Sequence, residues 1–593
     1  MQKRWRLSAM LIAFSVGVGI SSYATAAGKP CEQIRKACTE AGFTKGGAKQ
    51  GIGLIGDCID PVMQGTSPPA KAAKPLPTID PQLIAACRAA DPTFGNKQDG
   101  APQTAAIPAQ PLAPPPLVAA TPSPGGTNRP NFVFVLADDF SMNLVSSKII
   151  AQSMPNLMAM MREGATFESY FVTDSLCCPS RSSIFTGKFP HDTGVFTNRP
   201  PLGGYEAFNA HGNEAQTFAV ALQMDGYQTA MLGKYLNGYK PEKNAPPAGW
   251  NEWDVAGEGY PEFNYSLNQD GKVVSYGDRS DPKNYLTDVV AGLGEAFIRK
   301  SASGPFFIEI ATFAPHAPYI PAPRHENDFP GLTYDRSSPF GARPDQNAPD
   351  WLKAISPLTP KQIAKIDKSF RMRVQSDQAI DEMIGKIRGL LTDLHLDKNT
   401  YVVFSSDNGY HMGEYSLRPG KMTSFDTDIH VPLVIVGPGI APGKTIKNIV
   451  ENVDLSPTFT DLAGGSSPAT ADGHSLVGLL HPLPNALPIE WRDEALIEHR
   501  HPEKDVADPD LPEAKSGNPP SYNALRTDTA MYVEYDDAKH EVGFYNLKAD
   551  PLELKNIAGS LSAEQLKRWH DVLQANATCH GAQACWDAQR MKP

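Results

Sequence analysis

The stretch Phe132-Val133-Phe134-Val135-Leu136-Ala137-Asp138-Asp139 decides the fold class of this chain. Its six consecutive apolar residues, which include β-branched and aromatic side chains, indicate a strand buried on both faces. Such strands belong to parallel sheets whose two faces are covered by helices. The two acidic residues that end the run are therefore expected at the carboxyl edge of the sheet, where α/β proteins bind ligands.

Similar apolar runs recur along the chain and alternate with helical patterns. Strands are predicted over residues 228–232, 305–310, 401–406 and 431–436, and helices over residues 155–163, 215–225, 286–299 and 370–394. This alternation predicts an α/β fold with a large, mainly parallel sheet flanked by helices. Towards the chain end, short strands over 529–535 and 542–547 and a helix over 563–573 predict a smaller antiparallel subdomain.

Composition divides the 593 residues into five predicted segments. Basic residues, then an apolar run and small residues, are typical of a cleavable secretory signal, with an uncleaved anchor as the alternative. A small Cys-containing module with a helix over 31–41 comes next, and a Pro/Ala-rich stretch is typical of a linker. The boundaries are signal peptide 1–26, module 31–95, linker 96–129, catalytic domain 130–480 and C-terminal subdomain 481–593.

The charge and the single early apolar run limit the partners and the location. The formal net charge of −11 argues against a nucleic-acid partner. An anionic substrate is still allowed, because a local cluster of cations and metal can reverse the sign inside a cleft. After signal cleavage we expect an exported protein without an integral membrane segment: periplasmic or secreted, or lysosomal or extracellular in a eukaryote.

The eight cysteines fall into three groups, as expected for disulfides in an exported protein. The first group lies near the start and the last near the end, and each can close on itself. The members of these two groups are Cys31, Cys38, Cys58 and Cys87, and then Cys579 and Cys585. Cys177 and Cys178 form the third group and have no obvious distant partner.

The stretch Cys177-Cys178-Pro179-Ser180-Arg181 places a thiol just ahead of a predicted helix start. Pro179 suits a first helical position, and the side chains after it supply donors where backbone N–H groups also point at an anion. An oxyanion site is one interpretation. A buried Cys pair beside an ordinary helix cap is the other, since a Cys outside disulfides is often a small core residue.

Polar residues follow the predicted strands at the carboxyl edge. Asp138 and Asp139 end one strand, and Asp407 and Asn408 end another. Together they form an all-oxygen ligand set, which suits Ca²⁺ or Mg²⁺ and does not suit zinc. Each pair taken alone could instead be a strand-ending turn or a helix cap.

At this point the motifs resemble those of the type I sulfatases, in which Cys-x-Pro-Ser-Arg directs oxidation of its Cys to formylglycine. The resemblance covers roughly residues 129–558, with the Cys177 stretch and five further motifs in the family's order. They are the first metal strand Pro130-Asn131 to Asp138-Asp139, the stretch Cys177 to Gly187, the second metal strand Ser406-Asp407-Asn408-Gly409, and the basic positions Gly233-Lys234, Pro315-His316 and Gly420-Lys421.

The resemblance implies an alkaline-phosphatase-like sulfatase fold and a role for each matched residue. Cys177, not Cys178, would become formylglycine, through a formylglycine-generating enzyme. One hydroxyl of its hydrate would attack sulfur, and the other would allow sulfate to be eliminated. The remaining roles are metal binding by Asp138, Asp139, Asp407 and Asn408 with Cys177, charge stabilisation by Arg181, Lys234 and Lys421, and proton donation to the leaving oxygen by His316.

One position departs from the family pattern. Leu236 stands two residues after Lys234, where many arylsulfatases have a His, so the group that deprotonates the second hydroxyl is open. His411 is one candidate and His191 another, and either could simply shape the pocket.

The form of several motifs is similar to the N-acetylglucosamine-6-sulfatase branch, which predicts a sulfated sugar such as 6-O-sulfated N-acetylglucosamine as substrate. These motifs are Cys177-Cys178-Pro179, residues 233–237 and residues 407–414. Alternatives are an arylsulfatase of broad specificity, a phosphonate or phosphodiester hydrolase on the same scaffold, and an inactive surface glycan-binding protein.

Overall fold

The computed structural model describes residues 30–45, 53–64, 74, 76, 77, 79, 84, 87 and 129–592, apart from 338, 483–488 and 502–515. The predicted signal peptide and nearly all of the predicted linker lie outside these residues. The chain divides into two compact units, residues 1–117 and 118–593.

Two disulfides close the N-terminal unit, whose role stays a prediction. Cys31 bonds to Cys87 and Cys38 to Cys58, so the first cysteine group pairs within itself as predicted. The predicted helix over 31–41 is observed at Pro30–Glu40. Ile34 packs with the buried cysteines in a small apolar core, which suits a unit too small to be stabilised by burial alone.

The strands are numbered in chain order as β1 Asn131–Ala137, β2 Ala165–Phe167, β3 Tyr170–Phe171, β4 Gln228–Lys234, β5 Glu252–Ala256, β6 Ser266–Gln269, β7 Lys272–Ser275, β8 Phe306–Ala311, β9 Thr400–Ser406, β10 Leu433–Val436, β11 Lys444–Ile446, β12 Val450–Glu451, β13 Glu494–His499, β14 Tyr522–Thr527, β15 Ala530–Tyr535 and β16 Val542–Asn546.

The α-helices are α1 Pro30–Glu40, α2 Asp60–Gln64, α3 Met142–Val145, α4 Ile150–Ser153, α5 Pro155–Glu163, α6 Cys177–Thr186, α7 Pro190–Thr193, α8 Gly204–Ala210, α9 Phe218–Met224, α10 Leu286–Ser301, α11 Asp350–Lys353, α12 Pro360–Asp393, α13 Asp426–Ile429, α14 Leu455–Leu462, α15 Val477–Leu480, α16 Ala563–Ala577 and α17 Ala582–Ala588.

A ten-stranded sheet with the order β11-β2-β10-β9-β1-β8-β4-β5-β6-β7 forms the centre of the second unit. Its five middle strands, from β9 to β5, run parallel. Strand β10 pairs antiparallel with β9 on one side, and on the other side β6 pairs antiparallel with β5 and β7 antiparallel with β6. Val135 of β1 lies beside Phe404 of β9 and Ile310 of β8. The carboxyl ends of these strands therefore meet at one edge, as the sequence predicts.

Both faces of β1 are buried, and each belongs to its own apolar core. Phe132 and Phe134 pack on the face covered by α6, α9 and α14. Val133 and Val135 pack on the face covered by α5, α10 and α12. This two-sided cover explains why the strand reads as a continuous apolar run.

Helix α12 begins ten residues before the predicted start of the pattern at residue 370. Its N-terminus carries a capping box in which Thr359 and Gln362 bond reciprocally, followed by Pro360 at the first helical position. The first turns are mostly exposed and polar. Because they bury no continuous apolar stripe, periodicity does not reveal them.

A separate four-stranded antiparallel sheet, β13-β14-β15-β16, forms the C-terminal subdomain, and α16 packs against it. The sequence predicts β15, β16 and α16 but not β13 and β14. Strand β13 buries Glu494 and Glu498 between its apolar residues, so it lacks the apolar run that marks the central strands. Among the described residues, every helix is too short or too polar to span a bilayer.

Candidate active site

The carboxyl ends of the central strands bring the predicted polar residues to one place. Asp138 and Asp139 follow β1, Asp407 and Asn408 follow β9, and Lys234 is the last residue of β4. His316 lies just beyond the end of β8, and the Asp138 backbone N–H donates to the Ala314 carbonyl in the same loop, at 3.3 Å. All of these side chains are buried.

Helix α6 presents Cys177 to this cluster from its first position. The helix begins two residues before the start expected from Pro179, which lies within its first turn. Proline is tolerated there because N–H groups of a first turn have no acceptor within the helix. The helix ends at Gly187, whose φ of 72° is a left-handed conformation that favours glycine.

The Cys177 thiol lies between a carboxylate and a lysine ammonium group of the cluster. Its Sγ is 3.3 Å from Asp138 Oδ1 and 2.9 Å from Lys421 Nζ. One ligand atom from each of Asp138, Asp139, Cys177 and His316 lies within 4.8 Å of the others. The resemblance to the type I sulfatases implies that the hydroxyl oxygens of a formylglycine hydrate would take the place of this Sγ.

The oxygens of the cluster fit a hard divalent cation. Asp407 Oδ1 accepts a hydrogen bond from the Asp139 N–H at 3.2 Å, and Asn408 Nδ2 donates to Asp139 Oδ1 at 2.6 Å. Among the described residues, Asp139 Oδ2 and Asn408 Oδ1 are buried without a hydrogen-bond partner. Unsatisfied buried oxygens are costly, and a cation bound by oxygen ligands satisfies them.

Three cations offset the acids of the cluster. Arg181 Nε donates to Asp407 Oδ2 at 2.8 Å, Lys421 Nζ donates to Asp139 Oδ1 at 2.7 Å, and Lys234 Nζ pairs with Asp138. Arg181 also donates from Nη1 to the Lys234 carbonyl at 2.8 Å. These contacts join helix α6 to the ends of β9 and β4, so the guanidinium fixes the geometry as well as the charge.

Two acids of the cluster, Asp138 and Asp407, differ in proton affinity. Burial, together with repulsion from Asp407, raises the pKa of Asp138 to about 6. Burial also opposes ionisation of Asp407, but Arg181, Lys234 and Lys421 outweigh it and hold the pKa of Asp407 well below its usual range. A bound divalent cation would add positive charge beside Asp138 and favour its ionised form.

His316 presents one nitrogen to the cluster. Its Nδ1 donates to the Ala317 carbonyl at 2.7 Å, which assigns the proton of a neutral ring to Nδ1. Its Nε2 lies 3.6 Å from Asp139 Oδ2. The Tyr260 ring packs 4.6 Å from the imidazole and 5.0 Å from Lys234 Nζ, so one aromatic ring orients both groups.

Cys178 faces away from the cluster, although it is next to Cys177. It packs among apolar residues, and its N–H donates to Asn198 Oδ1 at 2.9 Å. Burial raises the pKa of the Cys178 thiol to about 12. A thiol with so high a pKa is a poor nucleophile.

The side chain of His411 makes its hydrogen bonds away from the Cys177 thiol. Its Nδ1 lies 2.9 Å from Asp428, and its Nε2 lies 3.0 Å from the Ser516 carbonyl. Its backbone exchanges hydrogen bonds with Gly420 at 2.9 and 3.1 Å, next to Lys421. Of the two roles that the sequence leaves open for His411, this geometry favours shaping the pocket over proton transfer.

His191, the other candidate base, lies outside the cluster. Its Nδ1 contacts Glu498 Oε2 at 2.7 Å and its Nε2 contacts the Cys579 carbonyl at 2.8 Å. Leu236 is buried in the apolar core. His316 is thus the histidine that meets the thiol and the acids among the described residues.

Several supporting residues are not apparent from the sequence. Arg373 of α12 donates to the backbone carbonyl of Asp139, and Asn452 Nδ2 donates to Ser180 Oγ at 2.8 Å. Asp428 also accepts from the Thr423 N–H at 3.0 Å. Arg373 has a weak sequence signal, because it lies on the predicted helix over 370–394, but a buried arginine cannot be distinguished there from an exposed one.

Comparison with known proteins gives consistent matches. A family model described as Sulfatase matches residues 130–466, and one described as N-sulphoglucosamine sulphohydrolase, C-terminal, matches residues 413–576. An N-acetylglucosamine-6-sulfatase of Capra hircus is 35% identical over 482 residues, covering 77% of this chain and 85% of the relative.

Solved structures share the fold. The structure of BT4656 in complex with its substrate D-glucosamine-2-N,6-O-disulfate has a TM-score of 0.61 at 24% identity, covering 75% of this chain and 97% of the other. A phosphonate monoester hydrolase from Silicibacter pomeroyi has a TM-score of 0.57 at 19% identity, covering 75% and 94%. At these identities the likeness concerns the fold.

Proposed function

This chain belongs to the sulfatase family and is a sulfuric ester hydrolase, and we propose that its substrate is a sulfated sugar, specifically N-acetylglucosamine with sulfate on its 6-oxygen. Two observations support the substrate. A relative covering most of the chain is named for that activity, and a structure with the same fold holds a 6-O-sulfated glucosamine. We expect residues 198–211, which include helix α8, and residues 321–349 to select the sugar.

The observation that carries the proposed mechanism is the position of Cys177. Its Sγ lies 3.3 Å from Asp138 Oδ1 and 2.9 Å from Lys421 Nζ, at the first position of a helix. We propose that Cys177 is converted to formylglycine, whose hydrate supplies one hydroxyl as nucleophile and a second that allows sulfate to leave. Asp138 and Lys421 then lie beside the hydroxyls, where a proton is removed and negative charge develops.

We propose Asp138, Asp139, Asp407 and Asn408 as the ligands of the divalent metal that the family uses, with calcium as the ion. When bound, the ion supplies charge that holds a sulfate oxygen and lowers the pKa of the attacking hydroxyl. The unsatisfied Asp139 Oδ2 and Asn408 Oδ1 support this assignment, and an all-oxygen set favours Ca²⁺ over zinc.

Three cations are assigned to binding and charge stabilisation. The ammonium groups of Lys421 and Lys234 contact Asp139 and Asp138, the acids that flank the thiol, and sulfate oxygens would accept hydrogen bonds from them. Arg181 is held between Asp407 and the Lys234 carbonyl. Because these donors are buried and fixed before substrate arrives, they need little reorganisation as charge develops.

His316 is assigned to donate a proton to the departing sugar oxygen. Its Nδ1 is held by the Ala317 carbonyl, so Nε2 is the nitrogen that faces the cluster. In the imidazolium form the ring also carries a proton at Nε2, and this proton would be transferred to the sugar oxygen as the bond from sulfur to oxygen breaks, which leaves the neutral ring protonated at Nδ1. Without this donor a sugar alkoxide would have to leave unprotonated, which is slow for an aliphatic alcohol.

Maturation and location are also part of the proposal. We expect a formylglycine-generating enzyme to act on Cys177 and the protein to be exported. The three disulfides, Cys31–Cys87, Cys38–Cys58 and Cys579–Cys585, support folding in an oxidising compartment.

The test compares hydrolysis of N-acetylglucosamine-6-sulfate, an aryl sulfate, a phosphonate monoester and a phosphodiester by the calcium-loaded enzyme. We expect the highest kcat/KM on the 6-sulfated sugar, and loss of activity on all four in Cys177→Ala. A preference for the aryl sulfate would instead indicate a broad arylsulfatase. A preference for the phosphorus esters would overturn the proposed substrate, since the fold is shared with a phosphonate monoester hydrolase.

A further inference from the structure

The backbone at Asp139 adopts a conformation that residues with a side chain rarely take. Its φ is 65°, in the left-handed region that favours glycine. Such a conformation costs free energy and persists where contacts from the surrounding structure fix it. Contacts from the rest of the fold must therefore hold Asp139 in place.

Both backbone polar groups of Asp139 have partners on other elements. The Asp139 N–H donates to Asp407 Oδ1 at 3.2 Å, just beyond the end of β9. The Asp139 carbonyl accepts a hydrogen bond from Nη2 of Arg373, a residue of helix α12. Because the peptide groups on both sides of the Cα atom are held, the direction of the Asp139 side chain is fixed as well.

The fixed side chain presents one carboxylate oxygen to the proposed cation. Asp139 Oδ1 accepts from Lys421 Nζ at 2.7 Å and from Asn408 Nδ2 at 2.6 Å. The other oxygen, Oδ2, is buried without a hydrogen-bond partner among the described residues. The left-handed backbone thus places one oxygen against protein donors and leaves the second to bind the ion.

The Arg373 guanidinium is itself held in a buried, aromatic setting. Its central carbon lies 4.6 Å from the centre of the Tyr410 ring and 5.8 Å from that of Tyr319. The hydroxyls of these two tyrosines lie 2.8 Å apart, so the rings form a connected pair. Nη1 also donates to the Pro315 carbonyl at 3.4 Å. One planar group therefore joins the loops that follow β1 and β8, which the single ammonium group of a lysine could not do in this geometry.

We propose that Arg373 is a positioning residue that holds Asp139 in its metal-binding conformation before the cation arrives, an inference that rests on the proposed function of Asp139 as a ligand. Arg373 acts through the Asp139 backbone. Without its hydrogen bond the metal-free protein would relax from the left-handed conformation, and the cation would have to restore that conformation on binding. Replacing residues that orient a metal ligand typically weakens metal affinity by about 10- to 100-fold.

The test is calorimetric titration of Ca²⁺ into the metal-free, full-length enzyme, at a temperature where the wild type and the variants are folded. Arg373→Lys keeps the positive charge but loses the planar fork. In this variant we expect the Kd for Ca²⁺ to rise by about tenfold or more. A residue that only stabilised the fold would leave the Kd of the folded protein unchanged.

Arg371→Lys is the matched control. Arg371 lies on the same helix and also donates to a loop carbonyl, that of Leu332, at 3.2 Å, but Leu332 is not a proposed metal ligand. This variant should bind Ca²⁺ with the Kd of the wild type. Tyr410→Leu is the second test variant, because it removes the aromatic ring nearer to the Arg373 guanidinium. It should raise the Kd by about threefold or more.

The outcomes separate the role of Arg373 from the proposed metal site. An unchanged Kd in folded Arg373→Lys, or in Tyr410→Leu if the first variant does not fold, would overturn the role of Arg373 and leave the metal ligands standing. An equal rise in Arg371→Lys would also overturn it. Absence of Ca²⁺ binding by the wild type would overturn the ligand set itself, and the role of Arg373 with it.

Discussion

Replacing His411 with Ala should slow catalysis by displacing Lys421, although His411 does not touch the reacting atoms. The side chain makes a charge-assisted contact to Asp428 at 2.9 Å and a second contact to the Ser516 carbonyl at 3.0 Å. Both contacts are buried. Burial disfavours the charged imidazole, but Asp428 outweighs it and raises the pKa of His411.

The size of the effect follows from these contacts. Losing a buried hydrogen bond to a charged group costs about 1.5–3 kcal/mol, so we expect the free energy of unfolding to fall by about 2–3 kcal/mol. The backbone bridge to Gly420 then loosens, and Lys421 Nζ moves relative to Cys177. A displacement near 1 Å costs about 100-fold in rate, so we expect kcat to fall by about 10- to 100-fold.

The assay is steady-state hydrolysis of N-acetylglucosamine-6-sulfate across pH, together with denaturant unfolding. His411→Asn keeps a donor near Asp428 and should recover part of both losses. The pH profile of kcat should keep its shape in His411→Ala, because a positioning residue does not transfer the proton. Loss of one limb of that profile in a folded variant would refute the positioning role and restore His411 as the base.

Three further outcomes are expected. Cys178→Ala should keep activity within a few-fold of wild type and lose about 1–2 kcal/mol of stability, since only a buried thiol is removed; inactivity of a folded variant would contradict the assignment. Removing divalent metal with a chelator should abolish turnover, and Ca²⁺ should restore more activity than Zn²⁺; full activity without metal would contradict the ligand set. Glu262 accepts from Thr287 while burial raises its pKa to about 8. The free energy of unfolding should therefore fall as pH rises from about 4.5 to 8, and Glu262→Gln should reduce that fall by at least about 1 kcal/mol. Denaturant unfolding at the two pH values measures it, and an equal fall in wild type and variant would contradict the role of Glu262.

The central sheet could be predicted because its strands bury both faces. Strands β1 and β9 are continuous apolar runs, and their ends mark the acids directly. Strand β4 extends two residues further than predicted, to Lys234, because Gly233 and Lys234 still pair with β5 although they are not apolar. Strand β6 was not predictable, since Asn268 is buried within it and pairs with Val255.

Only the site residues that lie in recognisable motifs could be predicted from the sequence. The nucleophile and the acids are read from short stretches whose spacing is local. The role of His411 cannot be read from a short stretch, because it depends on Asp428, 17 residues away, and on Ser516, 105 residues away. Likewise, nothing near Arg373 in the sequence shows that its guanidinium reaches the Asp139 backbone.

The most direct test of the account is the mass of the peptide that contains Cys177 and Cys178, taken from active enzyme after alkylation of thiols. We predict that Cys177 carries the aldehyde or its hydrate and that Cys178 carries the alkyl group. Fully active enzyme in which Cys177 remains an alkylatable thiol, or in which the aldehyde lies at Cys178, would contradict the mechanism.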